Sequence, residues 1–172
     1  MTDLELSDLC NEKLKYNPES GHLKWITRPR GRSKTASLDA GHLNKLGYIE
    51  VRVKQTLYLA HRLAYLIHYG NLPKYIDHIN GIKNDNRIIN LRSCTNQENL
   101  RNQKIKKSNT SGYKGVSWHK AMKKWSVRIT TDKHYKFIGN FTCRHEAARA
   151  YNDAAIKHHG EFAYLNTIGD LK

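Results

Sequence analysis

The segment between Tyr75 and Asn102 constrains the fold of this chain more than any other part of it. Asp77 and His78 are adjacent there. Eleven residues separate His78 from Asn90, and eight separate Asn90 from Asn99. These lengths suit a strand, a connecting loop, a return strand and a helix folded over both. The segment therefore predicts a compact unit that gathers polar side chains from distant points of the chain.

Two strands and a helix are predicted for this segment. Asp77 and His78 lie in an extended stretch, and the return strand is predicted at Ile88 to Leu91. Because neighbouring residues of a strand point to opposite faces, only a bend or a twist would let Asp77 and His78 serve one site. Thr95 opens a T-x-x-E capping box, so we expect a helix that starts there and carries Asn99 in its first turns.

The side chains of this unit suit metal-dependent cleavage of a phosphodiester. A neutral imidazole, with an ordinary pKa of about 6.5, accepts a proton from water near neutral pH, so His78 is the candidate general base. Asp77 and Asn99 offer hard oxygen atoms to one Mg²⁺ ion, or to another divalent cation such as Mn²⁺. Asn90 is expected to hold the His78 loop in place through its amide. Turn or cap propensity explains any one asparagine alone, but the four residues together favour a nuclease centre.

Five short stretches of this region carry a family resemblance. They are Tyr58 to Ala64, Ile76 to Gly81, Asp85 to Arg87, Asn90 to Arg92 and Gln97 to Asn99. Together they resemble the HNH endonucleases of phages and mobile introns, which have a ββα-metal fold. The resemblance implies that Asp77 and Asn99 are metal ligands, that His78 is the general base and that Asn90 is the central asparagine. Asn99 stands where many relatives carry histidine, which makes the site richer in oxygen and favours Mg²⁺ over Zn²⁺.

Short strands and loops are predicted for residues 1–60, followed by a helix. His22 to Thr27 and Tyr48 to Lys54 alternate polar and apolar residues, so each should bury one face. Leu57 to Tyr69 is predicted to be helical and to pack beneath the hairpin, and Gly70 supplies its stop. The apolar face of this helix consists of Leu59, Leu63, Leu66 and Ile67.

Two further groups in this part of the chain have two interpretations each. Arg28, Arg30 and Arg32 lie in a loop that proline and glycine keep from becoming helical, and the loop either contacts DNA phosphates or is simply solvated. His61 and His68 lie on the predicted helix, but seven residues apart, so one metal would not readily take both. A structural or surface role is favoured for them, and His61 is the one expected nearer the site.

A basic, polar stretch at residues 101–111 predicts a division between domains. It has little apolar content and ends in turn-forming residues. The stretch either follows the DNA or is a solvated tether, since a run of charge by itself supplies only non-specific attraction. We predict an HNH domain with a β-rich extension at 1–100, a linker at 101–111 and a second domain at 112–172.

The second domain is predicted to be a three-stranded antiparallel sheet packed on one helix. Tyr113 to Trp118, Lys124 to Thr130 and Tyr135 to Gly139 alternate like the strands of a meander. The helix that follows is expected to be capped by Thr142 and to end at Gly160. Its inner face consists of Ala147, Ala148, Tyr151, Ala154 and Ala155, and the inward residues of the sheet are Val116, Trp125, Val127, Ile129 and Ile138. The chain as a whole is thus expected to be an α+β protein.

The outer face of this sheet is a candidate reader of a DNA groove, because it exposes arginine and aromatic side chains. The predicted DNA contacts are Lys114, Ser117, His119, Arg128, Thr130, Tyr135 and Phe137.

A second resemblance supports this interpretation. Its marks are Gly115-Val116, Ile138 to Phe141, Glu146 to Tyr151, Ala154-Ala155 and Ala163 to Asn166. They are similar to the Apetala-two domain of plant ethylene-response transcription factors, whose sheet lies in the major groove. The plant domains mostly carry arginine where this chain has Ser117, His119, Thr130 and Tyr135, and a tryptophan where it has Phe137. We therefore expect the fold to transfer but not the base preference.

The charge of the chain makes a nucleic acid its natural partner. Thirty Lys and Arg against fifteen Asp and Glu give a formal charge of +15 over 172 residues, and such a field attracts polyanions. No stretch approaches the roughly 18 apolar residues of a membrane-spanning helix and no signal sequence opens the chain, so we expect a soluble intracellular protein without a membrane partner. Cys10, Cys94 and Cys143 lack C-x-x-C spacing, which indicates reduced thiols rather than a zinc site or a disulfide.

The sequence predicts a metal-dependent DNA endonuclease of the phage or intron homing type. It would act on double-stranded DNA in the cytoplasm of a host bacterium or of a phage-infected cell. The second domain would choose the site and the first would cut. One centre per chain predicts nicking of one strand by a monomer, or double-strand cleavage only through two sequential or paired monomers. The alternatives are a DNA-binding regulator with a decayed nuclease centre and an RNA-processing nuclease. Retention of the four polar residues argues against decay, and the lack of clustered stacking aromatics argues against an RNA reader.

Overall fold

The computed structural model describes residues 2–31, 33–132 and 134–169. The chain divides into two compact units, Met1–Thr95 and Asn96–Lys172. This division falls five residues before the predicted end of the first domain at residue 100, and the three-segment organisation remains a prediction. No helix in the described part of the chain is long and apolar enough to cross a membrane.

The first unit contains two α-helices and seven short strands among its described residues. In chain order they are α1 (Asp3–Lys13), β1 (Leu14–Tyr16), β2 (Leu23–Trp25), β3 (His42–Leu43), β4 (Ile49–Val53), β5 (Thr56–Leu59), α2 (Ala60–Tyr69), β6 (Tyr75–His78) and β7 (Leu91–Cys94). The strands form three antiparallel sheets with the orders β1-β2, β3-β4-β5 and β6-β7. The two helices pack on each other and share one core with β1, β2 and β4.

The prediction of strands and loops at the start of the chain is wrong, because α1 forms there. Thr2 Oγ1 accepts a hydrogen bond from Glu5 N at 3.2 Å, and Thr2 N donates to the Glu5 carboxylate at 2.7 Å. This reciprocal pair is a capping box, which satisfies two backbone donors at the helix start. The helix buries Leu9 and Cys10 in the first core. The T-x-x-E spacing that marks the start of α1 runs from Thr2 to Glu5 in the sequence.

The predicted strands upstream of the hairpin are confirmed in shorter form. β2 occupies the middle of the predicted stretch His22 to Thr27. In β4, Val51 and Val53 are buried while Arg52 between them is exposed, as the alternating pattern predicts. The sheet therefore has one face in the core and one face open to water.

Helix α2 is confirmed, although it begins three residues later than predicted. It starts at Ala60 because the preceding residues pair with β4 as strand β5. Leu63 and Leu66 are fully buried in the first core. Gly70 adopts a left-handed conformation with φ 73°, and its N–H donates to the Leu66 carbonyl, which ends the helix as predicted.

The predicted strand at Asp77 and His78 is confirmed as the end of β6, but the position of the return strand is wrong. Ile88–Asn90 is a short 3₁₀ turn, and β7 begins only after it. Asp77 lies directly opposite Arg92 across the hairpin. Asn90 is therefore a turn residue just before the return strand rather than a residue within it.

Helix α2 packs beneath this hairpin, as predicted. Ala64 of the helix, Ile76 of β6 and Leu91 of β7 form a small buried core, and Tyr16 of β1 packs against it. Contacts of this kind join elements that are far apart in sequence. They place the end of β6 on a rigid base of helix and sheet.

The second unit contains two α-helices and three strands among its described residues. They are α3 (Asn96–Arg101), β8 (Val116–His119), β9 (Lys124–Thr131), β10 (His134–Phe141) and α4 (Arg144–His159). The strands form one antiparallel sheet in the order β10-β9-β8, and α4 packs on it. Helix α3 begins directly after Thr95, where the capping box predicts it. The chain is a mixed α/β protein with several small antiparallel sheets, and the ββα-metal arrangement remains a prediction.

The packing of the sheet on α4 follows the predicted pattern. The buried residues that join them are Val116, Val127, Ile129, Ala147, Ala148, Tyr151 and Ala155. Trp125, Ile138 and Ala154 are only partly buried against this core. One prediction is wrong, because Cys143 rather than Thr142 is the N-cap of α4 and makes no side-chain hydrogen bond there. Gly160 ends the helix as predicted.

The stretch 101–111 packs within the second unit. Lys114 Nζ donates to the carbonyl oxygens of Arg101 and Gln103 at 2.6 and 2.7 Å. Ser111 is fully buried, and its hydroxyl hydrogen-bonds to the backbone at the start of β8. These contacts join the two ends of the stretch to the second unit, while residues 106–108 between them are exposed, and both interpretations of the linker remain predictions.

Candidate active site and nucleic-acid interface

Asp77 and His78 are both buried at the end of β6, with 5% and 6% of their surface exposed. Asp77 Oδ2 accepts hydrogen bonds from Nε and Nη2 of Arg92, at 3.0 and 2.8 Å. This ion pair is nearly closed to solvent on both sides. A buried charge without such a partner would be strongly unfavourable, so Arg92 allows a carboxylate to lie at this position.

The ring of His78 is kept neutral by burial and oriented by a hydrogen bond. Its Nε2 is 3.2 Å from Oδ1 of Asn86, which is also buried. Burial lowers the pKa of His78, while the hydrogen bond to Asn86 and the charge of Asp77 oppose that shift. The net direction is downward, so the imidazole is uncharged near neutral pH, which is the state a general base requires.

Asn90 ties together the loop that follows His78. Its Oδ1 accepts a hydrogen bond from Asn80 N at 2.9 Å, and its Nδ2 donates to the Asp85 carbonyl at 2.7 Å. Ile79 N also donates to the Asn90 carbonyl at 2.9 Å. The amide thus spans the two ends of the loop, which is the geometry that the predicted positioning role needs.

His61 lies beside His78, as expected, and His68 is exposed at the far end of α2. The rings of His61 and His78 meet edge to face with 4.8 Å between centroids, and the Tyr48 ring is 5.6 and 6.1 Å from them. Burial, together with the charges of His78 and Arg62, lowers the pKa of His61 to about 3. His61 is therefore neutral and contributes packing to the wall of the site.

The chemistry of the predicted ligands fits a hard divalent cation. Asp77 offers carboxylate oxygen beside His78, and Asn99 offers an amide oxygen from α3, which belongs to the second unit. No group of three or more His, Cys, Asp or Glu side chains placed to bind a metal occurs among the described residues. Oxygen ligands without thiolate suit Mg²⁺ or Mn²⁺ better than zinc. The assignment of Asp77 and Asn99 as ligands remains a prediction.

The predicted basic loop is partly held by its own arginine. Arg28 Nη1 donates to the carbonyl oxygens of Ser33 and Ala36, at 2.7 and 2.5 Å. Arg30 is exposed, and Arg32 lies outside the described residues. Arg28 therefore has a structural role in the loop, and phosphate contact by these residues remains a prediction.

The outer face of the second unit's sheet is exposed, as predicted. Its exposed residues are Ser117, His119, Arg128, Thr130, Tyr135 and Phe137. The register places Phe137 opposite Arg128 and Tyr135 opposite Thr130, so these pairs lie side by side on one face. Tyr135 and Phe137 have 79% and 56% of their surface exposed, which is far more than a packing role requires.

Lys114 and a neighbouring cavity extend this interface. Burial lowers the pKa of Lys114 to about 8, and its ammonium is held by backbone carbonyls. A cavity of about 680 Å³ lies beside the sheet and is lined by the cationic residues Arg101, Lys106, Lys114 and Arg128, with Tyr135 at its edge. The cavity shares Arg128 and Tyr135 with the exposed face, so both belong to one basic candidate interface.

Two residues of the first site are not evident from the sequence. Arg92 neutralises Asp77, and Asn86 bonds the His78 ring. The pairing of Arg92 with Asp77 can be inferred only once the register of β6 and β7 is known. Asn86 stands in a turn-prone run, where its residue type has a local explanation, and nothing in the sequence indicates that it contacts a histidine.

Comparison with known families relates the first site to one class of enzyme. A family model described as HNH endonuclease matches residues 58–101, the stretch from β5 through α3. This part of the chain is therefore similar to HNH endonucleases.

Individual relatives fall into two groups. Protein 3.8 of Escherichia phage T7 is 44% identical over 71 residues, which are 40% of this chain and 59% of that protein. An uncharacterized HNH endonuclease of Acanthamoeba polyphaga mimivirus is 34% identical over 111 residues, which are 63% of this chain and 57% of that protein. An AP2-like ethylene-responsive transcription factor of Arabidopsis thaliana is 36% identical over 67 residues, which are 38% of this chain and 14% of that protein. The chain thus spans less than two thirds of each of these relatives.

Proposed function

We propose that the chain is a metal-dependent DNA endonuclease in which the segment from β6 to α3 cuts and the three-stranded sheet of the second unit selects the site. The observation that carries this proposal is the buried cluster of Asp77, His78 and Asn90 at one hairpin, inside the stretch that matches the HNH endonucleases. Burying a polar side chain opposes folding unless a hydrogen bond within the protein replaces its bonds to water. A buried cluster of three such side chains is therefore typical of a functional site.

Each residue of the cluster has a distinct role in the proposed reaction. His78 takes a proton from the attacking water, because its lowered pKa leaves the ring neutral near neutral pH. Asn90 holds the loop that follows His78. Asp77 and Asn99 would hold Mg²⁺ or Mn²⁺, and the ion would supply positive charge to the scissile phosphate and the leaving 3′-oxygen.

The proposed substrate is double-stranded DNA, read by the second unit. The formal charge of +15 attracts a polyanion, and the exposed arginine and aromatics of the sheet suit contact with a groove. The likeness to AP2-like transcription factors supports the same assignment. One centre per chain leads us to propose nicking of one strand by a monomer, in the cytoplasm of a bacterial or phage-infected cell.

A catalytically inactive DNA-binding regulator is the second candidate. The observation that favours it is the ion pair of Arg92 with Asp77, because it neutralises the carboxylate that would hold the metal. A cleavage assay separates the two candidates, since both bind DNA and only one cuts it.

Supercoiled plasmid provides that assay. The wild-type chain is incubated with the plasmid and Mg²⁺, with Mn²⁺, or with EDTA, beside His78→Ala prepared in the same way to reveal any contaminating nuclease. We expect open-circular plasmid with either cation and intact plasmid with EDTA or with His78→Ala. Plasmid that stays supercoiled with both cations while the chain binds it would establish the regulator instead.

A further inference from the structure

The His78 ring is held by Asn86, and Asn86 is held by a turn near the start of the chain. We propose that Asn86, Tyr16 and Gly21 are positioning residues for the general base. The inference rests on the proposed function, because it takes His78 as the base. Tyr16 and Gly21 lie upstream of residues 58–101, the stretch that matches the HNH endonucleases. Part of the alignment of the base therefore comes from a hairpin outside that match.

The contact between Asn86 and His78 selects one form of the imidazole. Asn86 is 2% exposed, and its Oδ1 lies 3.2 Å from Nε2 of His78. An amide oxygen only accepts hydrogen bonds, so Nε2 is the donor and carries the ring hydrogen. The lone pair of the neutral ring then lies on Nδ1, which is the nitrogen that takes the proton from water. A hydrogen on Nδ1 instead would break the contact and block that nitrogen.

Tyr16, the last residue of β1, fixes the backbone of Asn86. Its hydroxyl donates to the Asn86 carbonyl oxygen at 2.7 Å. Burial raises the pKa of Tyr16 to about 12, so the hydroxyl keeps its proton under ordinary conditions. A second hydrogen bond holds the loop that carries Asn86, because Ile88 N donates to the Pro18 carbonyl at 3.0 Å.

Gly21 lets the turn between β1 and β2 approach the same peptide group. A Cβ at this position would lie 2.5 Å from Arg87 N and 2.6 Å from the carbonyl carbon of Asn86. Its φ of 74° is also one that other residues rarely adopt. The peptide that joins Asn86 to Arg87 is thus contacted by Gly21 and bonded by Tyr16. No other residue type fits at position 21 without moving the loop that carries Asn86.

A purely structural role and a positioning role differ in one measurable property. Substituting a residue with a structural role changes only stability, whereas substituting a positioning residue also changes which ring nitrogen of His78 carries the hydrogen. The ¹⁵N chemical shifts of the imidazole report that directly, without DNA or metal. They are recorded at about pH 8.5, well above the ordinary histidine pKa of about 6.5.

The DNA cleavage rate is compared among matched variants of the full chain. Asn86→Ala removes the acceptor, and Asn86→Asp retains one. Tyr16→Phe removes only the hydroxyl and is matched by Tyr65→Phe. Gly21→Ala is matched by Gly70→Ala, a glycine with nearly the same φ of 73° but nothing within 4 Å of an added Cβ.

We expect the wild-type ring to carry its hydrogen on Nε2. Asn86→Ala should mix the two forms and lower the single-turnover rate at saturating DNA by about 10- to 100-fold, with an unchanged Kd. Asn86→Asp should restore the Nε2–H form and most of the rate. Gly21→Ala should lower the rate more than Tyr16→Phe, and the two matched controls should retain it.

Two results would overturn the inference. One is a wild-type ring that carries its hydrogen on Nδ1, which would mean that the Asn86 amide is turned around. The other is Asn86→Ala that is folded and cuts at the wild-type rate. If Asn86→Ala does not fold, the ¹⁵N spectrum of the wild-type ring and the cleavage rate of Tyr16→Phe still test the inference. A wild-type chain that leaves DNA intact would refute the proposed nuclease function. The ¹⁵N spectrum of the ring would still test whether Asn86 positions His78.

Discussion

The two units present their functional side chains in opposite ways. In the first, Asp77, His78 and Asn90 are buried and each has a hydrogen-bond partner within the protein. In the second, Tyr135 and Phe137 stand exposed on an open sheet. Buried groups are fixed before the substrate arrives and act in a medium of low dielectric constant, as bond cleavage requires. Exposed groups can reach into a groove, as recognition requires. Cutting and binding should therefore be separable by mutation.

Removal of the proposed base should have the largest effect. His78→Ala should lower the cleavage rate by about 100- to 10,000-fold, because general base catalysis contributes about that factor. Its Kd for DNA should not change, since the proposed binding face belongs to the other unit. The measurement is the rate of plasmid nicking beside a binding titration. His68→Ala, which removes an exposed histidine of α2, is the control. A normal rate in His78→Ala would remove the base assignment.

The buried ion pair should dominate the stability of the first unit. Arg92→Met removes the guanidinium that pairs with the buried Asp77 carboxylate, so the free energy of unfolding should fall by about 3–5 kcal/mol. Denaturant titration measures this change. Arg92→Met combined with Asp77→Asn should recover much of the loss, because no buried charge remains. A loss below about 1 kcal/mol would show that the pair behaves like a solvent-exposed one.

Truncation on the exposed face should weaken binding by a smaller amount. Arg128→Ala should lower the affinity for DNA by about 1–3 kcal/mol, the range for one groove or phosphate contact. Arg149→Ala on α4, which covers the opposite side of the sheet, should leave affinity unchanged. Titration at fixed salt measures both. Equal losses for the two arginines would indicate non-specific attraction rather than a defined face.

Acid should destabilise the first unit through His61. The pKa of His61 is about 3 in the folded chain against an ordinary value of 6.5. Between those values the unfolded chain binds more protons, so stability falls as the pH falls. His61 alone should contribute a slope of about 1.4 kcal/mol per pH unit below pH 6. Denaturant titrations at several pH values measure it. His61→Gln should flatten the slope, and the exposed His22→Gln should not. An unchanged slope in His61→Gln would assign the effect to another group.

Local patterns in the sequence predict most of the elements but not the contacts that complete the site. Alternation predicts the strands of both units, and the capping box at Thr95 places α3. A box of the same spacing at Thr2 opens α1, where short strands and loops were predicted. Arg92 and Asn86 act through the register of a hairpin and through a contact with Tyr16 that spans 70 residues. Periodicity carries no information about such long-range contacts, because they depend on how separate elements pack.

The return strand shows the same limit on a smaller scale. The apolar run at Ile88 predicts a strand, yet it forms a 3₁₀ turn whose Ile89 is largely exposed. The turn is held from outside by the bond of Ile88 N to the Pro18 carbonyl. A tertiary contact has overridden a local preference, and it places Asn90 where its amide can span the loop.

The separation of cutting from binding is tested most directly by the single-turnover cleavage rate at saturating DNA of the double variant Arg128→Ala/Tyr135→Ala. We predict that more DNA is needed for saturation, because affinity falls, and that the saturated rate stays within about twofold of the wild-type rate. A saturated rate that falls in parallel with affinity would contradict it, because the exposed face would then take part in the cut.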